Sequence, residues 1–590
     1  MFHVPPALGE VEAGFAAELA AVRPGLTDAY AAALPGARAA VLARLWRGLL
    51  YEPLPGVAAR GPGSVRLGDG RLLTGPASLP HDLAPDLAPD LAPDPPSVVR
   101  LDGRAHTDPA RLLAALGLPG TARLIGDLER GTASLALSRA GAAALDPACK
   151  AAAWDAAAQD AARAPGWGLE EFEQAVVDGH PYHPCCRNRP GLSVAEQLAY
   201  APEHRPVVPL DLVAVPAARC LVAGPWPAGL TDGGHVLVPV HPWQSRHRLP
   251  ELGLEPSRRG MIPARPLMSL RTLAPLDGGP HVKTAVSARM TSHVRDISAA
   301  SVRDAVPLSD LLTRAAARLG RAGPHIARYL CGAAVLVDGR PSAEVAVLLR
   351  EPPSRFAGPG EVVVPLAALT TRPAHGAPPL IHVLAEGPLT RETHGTATRA
   401  GGGTEGGGGT EGGGGTEWVA AFARAAFAAG LGLLAMGIAL EAHGQNLLAV
   451  LDRHGRPLRL VYRDLADVRV SPARLGRHGL QPPPLHARLV TDDPRRLREK
   501  LFGSLVGTTF GTLVSALGRG DREREARLWS EIAAAARHAF DELPATPGRQ
   551  ADRAALFGPE LPVKAHTLMQ IEGGPPGDRW AYLPNPLAGA

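Results

Sequence analysis

Three evenly spaced cations, interleaved with hydroxyl side chains, stand out in this 590-residue sequence. The stretch "SLRTLAPLDGGPHVKTAVSARMTSHVRDIS" (269–298) places Arg271, Lys283 and Arg295 twelve residues apart. The hydroxyl groups beside them belong to Ser269, Thr272, Thr291 and Ser292. Guanidinium groups bind oxygen atoms bidentately and an ammonium adds a point charge, so a hairpin with this pattern could hold an extended polyphosphate. An ordinary polar sheet face is the alternative interpretation.

Lysine is rare here, which gives each lysine more weight. Only four of the 61 basic residues are lysines, at positions 150, 283, 500 and 564. Arginine has evidently replaced lysine wherever any cation suffices, so a retained lysine suggests that a compact ammonium group is needed. This favours a functional role for Lys283.

A second polar cluster follows an apolar run in "GIALEAHGQNLLAVLDRHGRPLRLVYRDLADV" (437–468). The cluster consists of Glu441, His443, Gln445 and Asn446. A hairpin with its turn at His454-Gly455 then returns the chain to Asp464. Asn446 and Asp464 on two successive loops could share a Mg²⁺ ion that bridges nucleotide phosphates. A capped helix followed by a turn is the alternative, and the absence of a Gly-rich phosphate loop and of an H-R-D-L-x-x-x-N motif disfavours a protein kinase.

The third cluster, "DGHPYHPCCRNRPG" (178–191), has two interpretations. His180, His183, Cys185 and Cys186 could bind zinc, or Arg187 and its neighbour Arg189 could hold an anion. Adjacent cysteines rarely coordinate one ion well, and no second Cys/His pair follows at zinc-knuckle spacing. Both observations weaken the zinc interpretation.

The composition predicts a soluble globular protein of two to four domains. The sequence is 45% apolar, its net charge is +4, and it has no block of five basic residues, so nucleic-acid binding has little support. Five scattered cysteines and the absence of a signal peptide favour a reduced, cytoplasmic protein. The uncharged run 425–440 is short for a membrane span and predicts a buried core helix.

The pattern along the chain predicts helices first, then sheets, then helices again. Residues 1–60 have helical periodicity, and a Pro-rich repeat (82–96) forms a low-complexity insertion. Short β-rich runs between about 205 and 390 predict an antiparallel sheet. The Gly-rich repeat 401–417 predicts a flexible tract before a mainly helical end.

Taken together, these segments resemble the NRPS-independent siderophore synthetases of the IucA/IucC (aerobactin synthetase) type. The matching pieces occur in the family's order over roughly 170–590 and include "GHPYHPCCRNRPGLS", "SLRTL", "HVKTAVSARMTSHVRDIS", "GIALEAHGQN", "VYRDLADVR" and "LPVKAHTLMQIEG". Within them, "GHPYHP" and "GIALEAHGQN" are the most specific. The first 150 residues match only in their general sequence pattern and contain none of the family motifs named here.

The resemblance implies an α+β fold shaped like a cupped hand, with mainly antiparallel sheets and a palm related to kinase-like folds. The domains expected are a mostly helical thumb (1–195), ATP-binding fingers (196–400) and, after the Gly-rich tract, a palm (418–590). It also implies siderophore biosynthesis by an ATP- and Mg²⁺-dependent ligase. A carboxylic acid, commonly citrate or a derivative, is adenylated with release of pyrophosphate, and an amine, hydroxylamine or alcohol then displaces AMP. A homodimer, with neither membrane nor nucleic-acid partners, is expected.

The resemblance also implies roles for individual residues. The nucleotide contacts it implies are Ser269, Arg271, Thr272, Lys283, Ser292, Arg295, Glu441, Gln445 and Asn446. The residues it places near the reacting groups are His180, His183, Arg187, Thr291, Arg295, His443 and Lys564. Metal ligation falls to Asn446 and Asp464.

Two departures from the family pattern bear on the substrate. Arg187 stands where the family has Lys, and Gln570 stands where it has Arg. The first keeps the charge with a different geometry, whereas the second removes a cation. Two other functions therefore stay open: a small-molecule phosphotransferase that makes ADP, and a catalytically impaired homologue that binds carboxylates or nucleotides.

Overall fold

Helices and mainly antiparallel sheets make up the protein, so the α+β class predicted from the sequence is confirmed. A computed structural model describes residues 9–83, 98–145, 168–290, 293–372, 378–386, 413–573 and 577–589. Most of the repeat 82–96 and residues 401–412 of the Gly-rich tract lie outside these ranges.

The N-terminal part combines helices with a small sheet. Its helices are α1 (Glu10–Val22), α2 (Thr27–Tyr51), α3 (Pro109–Leu116) and α4 (Ala122–Ala144). Its strands are β1 (Val57–Gly61), β2 (Ser64–Leu67), β3 (Leu72–Thr74), β4 (Val99–Leu101) and β5 (Arg104–His106), paired in sequence order. The sequence predicted helices here but not this sheet, because strands of three to five residues are too short to show clear alternation. Helices α2 and α4 pack together through a leucine-rich core.

A nine-stranded antiparallel sheet dominates the middle of the chain, as the β-rich pattern predicted. The helices here are α5 (Leu169–Gln174), α6 (Val194–Tyr200), α7 (Pro242–His247) and α8 (Ala299–Arg318). The strands are β6 (Val208–Pro216), β7 (Cys220–Ala223), β8 (Thr231–Asp232), β9 (His235–Val240), β10 (Arg258–Pro266), β11 (Thr272–Pro275), β12 (His281–Thr284), β13 (Val286–Met290), β14 (His293–Arg295), β15 (His325–Ile326), β16 (Tyr329–Val337) and β17 (Arg340–Arg350). The sheet order is β7-β16-β17-β12-β11-β10-β6-β9-β8, and β13 and β14 form a separate hairpin.

Strand β12 lies between β11 and β17, in the interior of this sheet. In the register of β11 and β12, Lys283 lies opposite Thr272. Two consecutive glycines with positive φ, Gly278 and Gly279, close the β11–β12 hairpin, where residues with a Cβ would be strained. The hairpin thus fixes Lys283 on a central strand.

The C-terminal part is built on a smaller sheet covered by helices. Its strands are β18 (Val362–Pro365), β19 (Ile438–Ala439), β20 (Leu447–Leu451), β21 (Pro457–Tyr462), β22 (Arg469–Val470), β23 (Glu560–Lys564) and β24 (Trp580–Pro584). Its helices are α9 (Leu366–Leu369), α10 (Leu380–Glu386), α11 (Gly413–Met436), α12 (Pro472–Arg477), α13 (Pro494–Phe502), α14 (Gly511–Gly518), α15 (Arg522–Glu542), α16 (Pro547–Leu556) and α17 (His566–Glu572), with a π-helical segment, Gly503–Phe510, between α13 and α14. The four-stranded sheet has the order β15-β21-β20-β18, and β15 pairs with β21 in parallel. The β20–β21 hairpin and its turn at Gly455 are confirmed.

The predicted core helix exists, but its boundaries differ from the apolar run. Helix α11 starts at residue 413, inside the Gly-rich tract, and ends at Met436. Gly437, with φ +99°, then turns the chain into β19, so the end of the run 425–440 is extended. By length and composition, Gly415–Met436 and Pro494–Gly518 could each cross a membrane, yet 72% and 100% of their most apolar windows are buried within the protein. Both segments serve here as core helices.

Candidate functional site

A cavity of about 1630 Å³ brings most of the predicted site residues together. Predicted residues in its lining are His180, His183, Arg187, Ser269, Arg271, Lys283, Arg295, Glu441, His443, Gln445, Asn446, Asp464 and Lys564. Thr272 is buried beside Lys283 but does not line the cavity. Thr291 and Ser292 lie outside the described residues.

Lys283 and Asp464 form an ion pair at the centre of the cavity wall. Lys283 Nζ lies 2.7 Å from both carboxylate oxygens of Asp464, and it also donates to the Tyr329 hydroxyl at 3.1 Å. Asp464 follows β21 with φ +65°, a left-handed conformation that turns its side chain off the strand. Burial lowers the pKa of Lys283 to about 8, although Asp464 raises it. Burial would raise the pKa of Asp464, but Lys283 and nearby arginines more than offset this and hold that pKa well below its usual range.

Two arginines flank this ion pair. Arg271 Nη1 donates to the carbonyl oxygens of Arg295, at 2.5 Å, and Asp296, at 3.2 Å. Burial lowers the pKa of Arg271, and burial together with Arg271 lowers the pKa of Arg295 to about 10. Both groups stay charged near neutral pH. Together with Lys283 they form a cationic surface that suits polyphosphate oxygens.

Four charged groups, two of them buried and two partly exposed, form a network at another part of the cavity wall. Lys564 Nζ contacts Glu441 Oε1 at 2.8 Å and Asp578 Oδ1 at 2.9 Å. Lys500 Nζ contacts the same two acids at 3.2 and 2.5 Å. Burial alone would raise the pKa of Glu441, but the two lysines outweigh it and hold that pKa well below normal. The pKa of Asp578 is lowered to about 2, since the lysines again offset burial.

Several histidines lie close to these charged groups. His180 and His566 are in edge contact, with ring centroids 4.5 Å apart, and His183 lies 5.1 Å from His566. Burial, followed by the neighbouring imidazoles, lowers the pKa of His180 and of His566 well below normal. Burial also lowers the pKa of His443. The imidazoles of His180, His443 and His566 are therefore neutral near pH 7.

Arg187, which the sequence predicted to lie near the reacting groups, lines the cavity, and its guanidinium also binds the backbone of its own loop. Its Nε donates to the carbonyl oxygen of Val177 at 2.6 Å, and its Nη2 donates to that of Val176. Arg187 Nη1 lies 3.9 Å from Glu203, which also accepts from Arg189 at 2.7 and 3.1 Å. The buried Glu203 balances one of these two positive charges, and its ion pairs with both arginines fix the loop.

The zinc interpretation of the same loop fails on geometry. Cys185 and Cys186 are buried free thiols, and burial raises the pKa of Cys185 well above its usual value. In the parts of the chain that the structure describes, one group of three metal-ligating side chains converges closely, and it is His81, Asp82 and Glu525. That group contains none of the histidines and cysteines of the 178–191 loop, and Arg522 already pairs with both of its acids.

Asn446 and Asp464 lie where the sequence placed a metal site. The backbone N–H of Arg463 donates to the carbonyl of Asn446 at 3.0 Å, so the two loops at the end of the β20–β21 hairpin are adjacent. Carboxylate and amide oxygens are hard ligands of the kind that Mg²⁺ prefers. The residues present therefore fit a Mg²⁺ ion bound together with phosphates. The backbone carbonyl oxygen of Gln445 accepts a hydrogen bond from Arg463 Nε at 3.0 Å, which fixes this loop.

Sequence reasoning missed several residues of the cavity. Tyr329, Lys500, His566 and Asp578 all line it or contact residues that do. The rarity of lysine could have identified Lys500, because all three lysines in the described ranges are cavity residues. Asp578 gave no comparable signal.

Comparisons with known proteins show which proteins this chain is similar to. A model described as the IucA / IucC family matches residues 168–371, and one described as a ferric iron reductase FhuF-like transporter matches residues 416–575. Staphyloferrin A synthase of Staphylococcus aureus is 23% identical over 435 residues, which cover 68% of this chain and 70% of that protein. D-ornithine–citrate ligase of the same organism is 22% identical over 475 residues, covering 70% and 69%.

Solved structures share the fold over nearly the whole chain. The petrobactin biosynthesis protein AsbB of Bacillus anthracis superposes with a TM-score of 0.73 at 17% identity and covers 99% of this chain and 98% of its own. ATP-bound aerobactin synthetase IucA of Klebsiella pneumoniae superposes with a TM-score of 0.68 at 20% identity, covering 93% and 99%. At such identities the likeness concerns the fold.

Proposed function

We propose that the cavity of this protein adenylates a carboxylic acid. The premise is that the chain belongs to the NRPS-independent siderophore synthetases of the IucA/IucC type and is an ATP-dependent ligase of siderophore biosynthesis. The acid is citrate or a related compound. An amine, hydroxylamine or alcohol then attacks the adenylate, and AMP leaves. Pyrophosphate and AMP are the nucleotide products.

The presence of two sets of cations in the wall of one cavity carries this proposal. Lys283, Arg271 and Arg295 form a cationic surface that can hold phosphates, while Lys564 and Lys500 lie in a second region suited to a carboxylate. A ligase that joins ATP to an acid must bring two anions together, and fixed cations stabilise the charge that develops on the phosphates. A simple nucleotide-binding site would not need the second region.

The nucleotide is proposed to bind across β11, β12 and the loop after α11. Contacts are assigned to Ser269, Arg271, Thr272, Lys283, Ser292, Arg295, Glu441, Gln445 and Asn446. Glu441 is the weakest member of this set, because its carboxylate already pairs with Lys500 and Lys564. The side chain of Lys283 must release Asp464 in part when phosphates bind, since one ammonium cannot serve all of these oxygens.

Asn446 and Asp464 are proposed to hold Mg²⁺. The ion would neutralise phosphate charge and orient the nucleotide when it is bound. The ion pair of Lys283 with Asp464 keeps this carboxylate ionised and in place beforehand.

Adenylation creates an electrophile from an unreactive carboxylate. A carboxylate oxygen attacks the α-phosphorus of ATP and the bond to pyrophosphate breaks, which gives the acyl-adenylate. In the second step the nucleophile attacks the acyl carbon and loses a proton, and AMP departs with the bridging oxygen. We assign acceptance of that proton to His180, His183 and His443, which line the cavity. Lys564, Arg295 and Thr291 are proposed to orient the acid.

The finer architecture also belongs to the proposal. The N-terminal part (1–195) would act as thumb, the middle (196–400) as fingers and the C-terminal part (418–590) as a palm related to kinase-like folds. The protein would work in the cytoplasm as a homodimer, without nucleic-acid or membrane partners. The Gly-rich tract would link fingers and palm, although its last five residues start helix α11.

The experiment that tests the function is product analysis with a panel of acids. With ATP, Mg²⁺, hydroxylamine and citrate, α-ketoglutarate or a succinyl-amine, the enzyme should release pyrophosphate and AMP and form an acyl hydroxamate. ADP as the sole nucleotide product would indicate a phosphotransferase instead. Nucleotide binding without turnover on any acid would indicate a homologue that only binds.

A further inference from the structure

An apolar patch on one face of the nine-stranded sheet is open to solvent. Its members are Val207 and Pro209 at the start of β6, Met261 and Pro263 in β10, and Leu276 directly after β11. All five are exposed, and the exposed fractions of Val207, Met261 and Leu276 are 52%, 50% and 51%. Single exposed apolar residues are common on protein surfaces, whereas a contiguous patch of them marks an interaction site.

The strand register shows that these side chains share one face. Pro263 lies opposite Pro209 in the pairing of β10 with β6, and the backbone N–H of Leu276 donates to the carbonyl oxygen of Pro263 at 2.9 Å. Because side chains alternate along a strand, Val207 and Met261, each two residues from one of these prolines, lie on the same side. The side chains between them face the core on the other side of the sheet.

A cavity of about 520 Å³ borders the patch, between β6, β10 and helix α7. Its lining includes Pro209, which also belongs to the patch, together with Pro242 and Pro250. Arg246 and Arg259 complete the part of the lining that matters here, with side chains 63% and 71% exposed. Each pairs only loosely with an acid, at 3.7 and 3.9 Å. The cavity therefore offers an apolar wall beside two cations that can take a further carboxylate.

The opposite side of the patch carries the opposite charge. Asp277 follows Leu276 in the turn between β11 and β12 and is exposed. Among the residues that the structure describes, no cation forms an ion pair with it. One side of the patch thus presents a leucine and a carboxylate, and the other side presents an apolar cavity and two guanidinium groups. A face of this kind is complementary to itself after a two-fold rotation, as an isologous interface requires.

We propose that this face is the interface of a dimer of two copies of the chain, related by a two-fold axis near Met261 and Pro263. Leu276 of each copy enters the cavity of the other, and Asp277 pairs with Arg259 across the interface. A uniformly acidic partner would meet a like charge at Asp277, whereas a second copy offers an opposite charge at both ends. This inference rests on the proposed homodimer and names its interface, and adenylation does not depend on it.

Sedimentation equilibrium of the full-length protein tests the interface. The wild type should be a dimer at micromolar concentration. Met261→Glu places two like charges near the two-fold axis and should raise the dimer dissociation constant by about 100-fold or more. Leu458→Glu is the matched control, because Leu458 is 47% exposed on β21, outside this sheet, and should leave that constant unchanged.

The possible failures are distinct. A monomeric wild type would overturn both the interface and the proposed homodimer. A dimer whose dissociation constant is the same in Met261→Glu and in the wild type would overturn the interface and leave the homodimer standing. Pyrophosphate release, measured separately, decides the proposed adenylation in either case.

Charge reversal tests the ion pair across the interface. Asp277→Arg alone places two cations at each of the two symmetric contacts, and Arg259→Asp alone places two carboxylates there. Each variant should dimerise at least about ten-fold more weakly than the wild type, because like charges then meet. An equimolar mixture of the two variants restores opposite charges at both contacts, so native mass spectrometry should show mainly the heterodimer. A statistical mixture of homodimers and heterodimers, or two variants that dimerise as the wild type does, would overturn the arrangement. If either variant does not fold, the Met261→Glu comparison still decides the interface.

Discussion

Replacing Lys283 with Met should remove adenylation while leaving the protein folded. The ammonium group lies 2.7 Å from both oxygens of Asp464, and its side chain is only 5% exposed. Removing one partner of a buried ion pair costs about 3–5 kcal/mol. Here the loss of folding stability should be smaller, about 1–2 kcal/mol on the same scale. The Asp464 side chain is 28% exposed, and it still accepts a hydrogen bond from the Tyr329 hydroxyl at 3.0 Å. A typical stability of about 5–15 kcal/mol tolerates that change.

The effect on activity should be much larger than the effect on stability. A fixed group that stabilises transition-state charge contributes about 2.7–4 kcal/mol, so kcat/KM for ATP should fall by about 10²–10³. Pyrophosphate release measures the activity, and thermal melting confirms that the variant folds. Lys283→Arg should recover part of the activity because it keeps the charge, and Arg553→Met, in a surface ion pair, serves as the control. A folded Lys283→Met variant with kcat/KM within about three-fold of wild type would refute the role of Lys283.

Three more predictions concern the same site. Since the pKa of Lys283 is lowered to about 8, the free enzyme loses this positive charge above that pH, and kcat/KM for ATP should fall there. The Lys283→Arg variant should show a smaller fall. The same pH profile in the variant and the wild type would contradict the role assigned to Lys283. Arg187→Lys should lower the unfolding free energy by about 1–3 kcal/mol, because the flexible lysine ammonium does not reproduce the rigid fork that reaches both backbone carbonyls, while KM for ATP stays within about three-fold. A large change in KM at an unchanged melting temperature would indicate a substrate role. Asp464→Asn should raise the Mg²⁺ concentration needed for half-maximal pyrophosphate release, and an unaltered Mg²⁺ titration would exclude Asp464 as a ligand.

Local sequence signals predicted the elements that carry the nucleotide region. The β20–β21 hairpin was visible because Gly455 permits the positive φ that its turn needs, and the flanking runs are apolar. A functional role for Lys283 could be predicted because it is one of four lysines and lies between segments that carry hydroxyl side chains. Spacing along one hairpin was enough to bring Arg271 and Lys283 together, since β11 and β12 are adjacent strands.

Long-range pairing of charges could not be predicted in the same way. Lys500 lies in the Arg-rich segment "PRRLREKLF" and looks like a surface residue, yet α13 buries it against Glu441, 59 positions earlier. Asp578 meets Lys564 only because the β23–β24 hairpin folds back. Arg187 looked available for an anion, because nothing in its loop shows that Glu203 and two backbone carbonyls would engage it. A sequence reveals which groups carry charge, whereas neutralisation depends on the tertiary fold.

The fate of a carboxylate oxygen tests the central claim most directly. With an acid substrate labelled with ¹⁸O in its reactive carboxylate, turnover in the presence of hydroxylamine can be analysed by mass spectrometry of the nucleotide products. If the acid attacks the α-phosphorus and AMP leaves with the bridging oxygen, AMP acquires one ¹⁸O atom and pyrophosphate acquires none. Unlabelled AMP, or ADP accompanied by labelled inorganic phosphate, would contradict acyl-adenylate formation in this cavity.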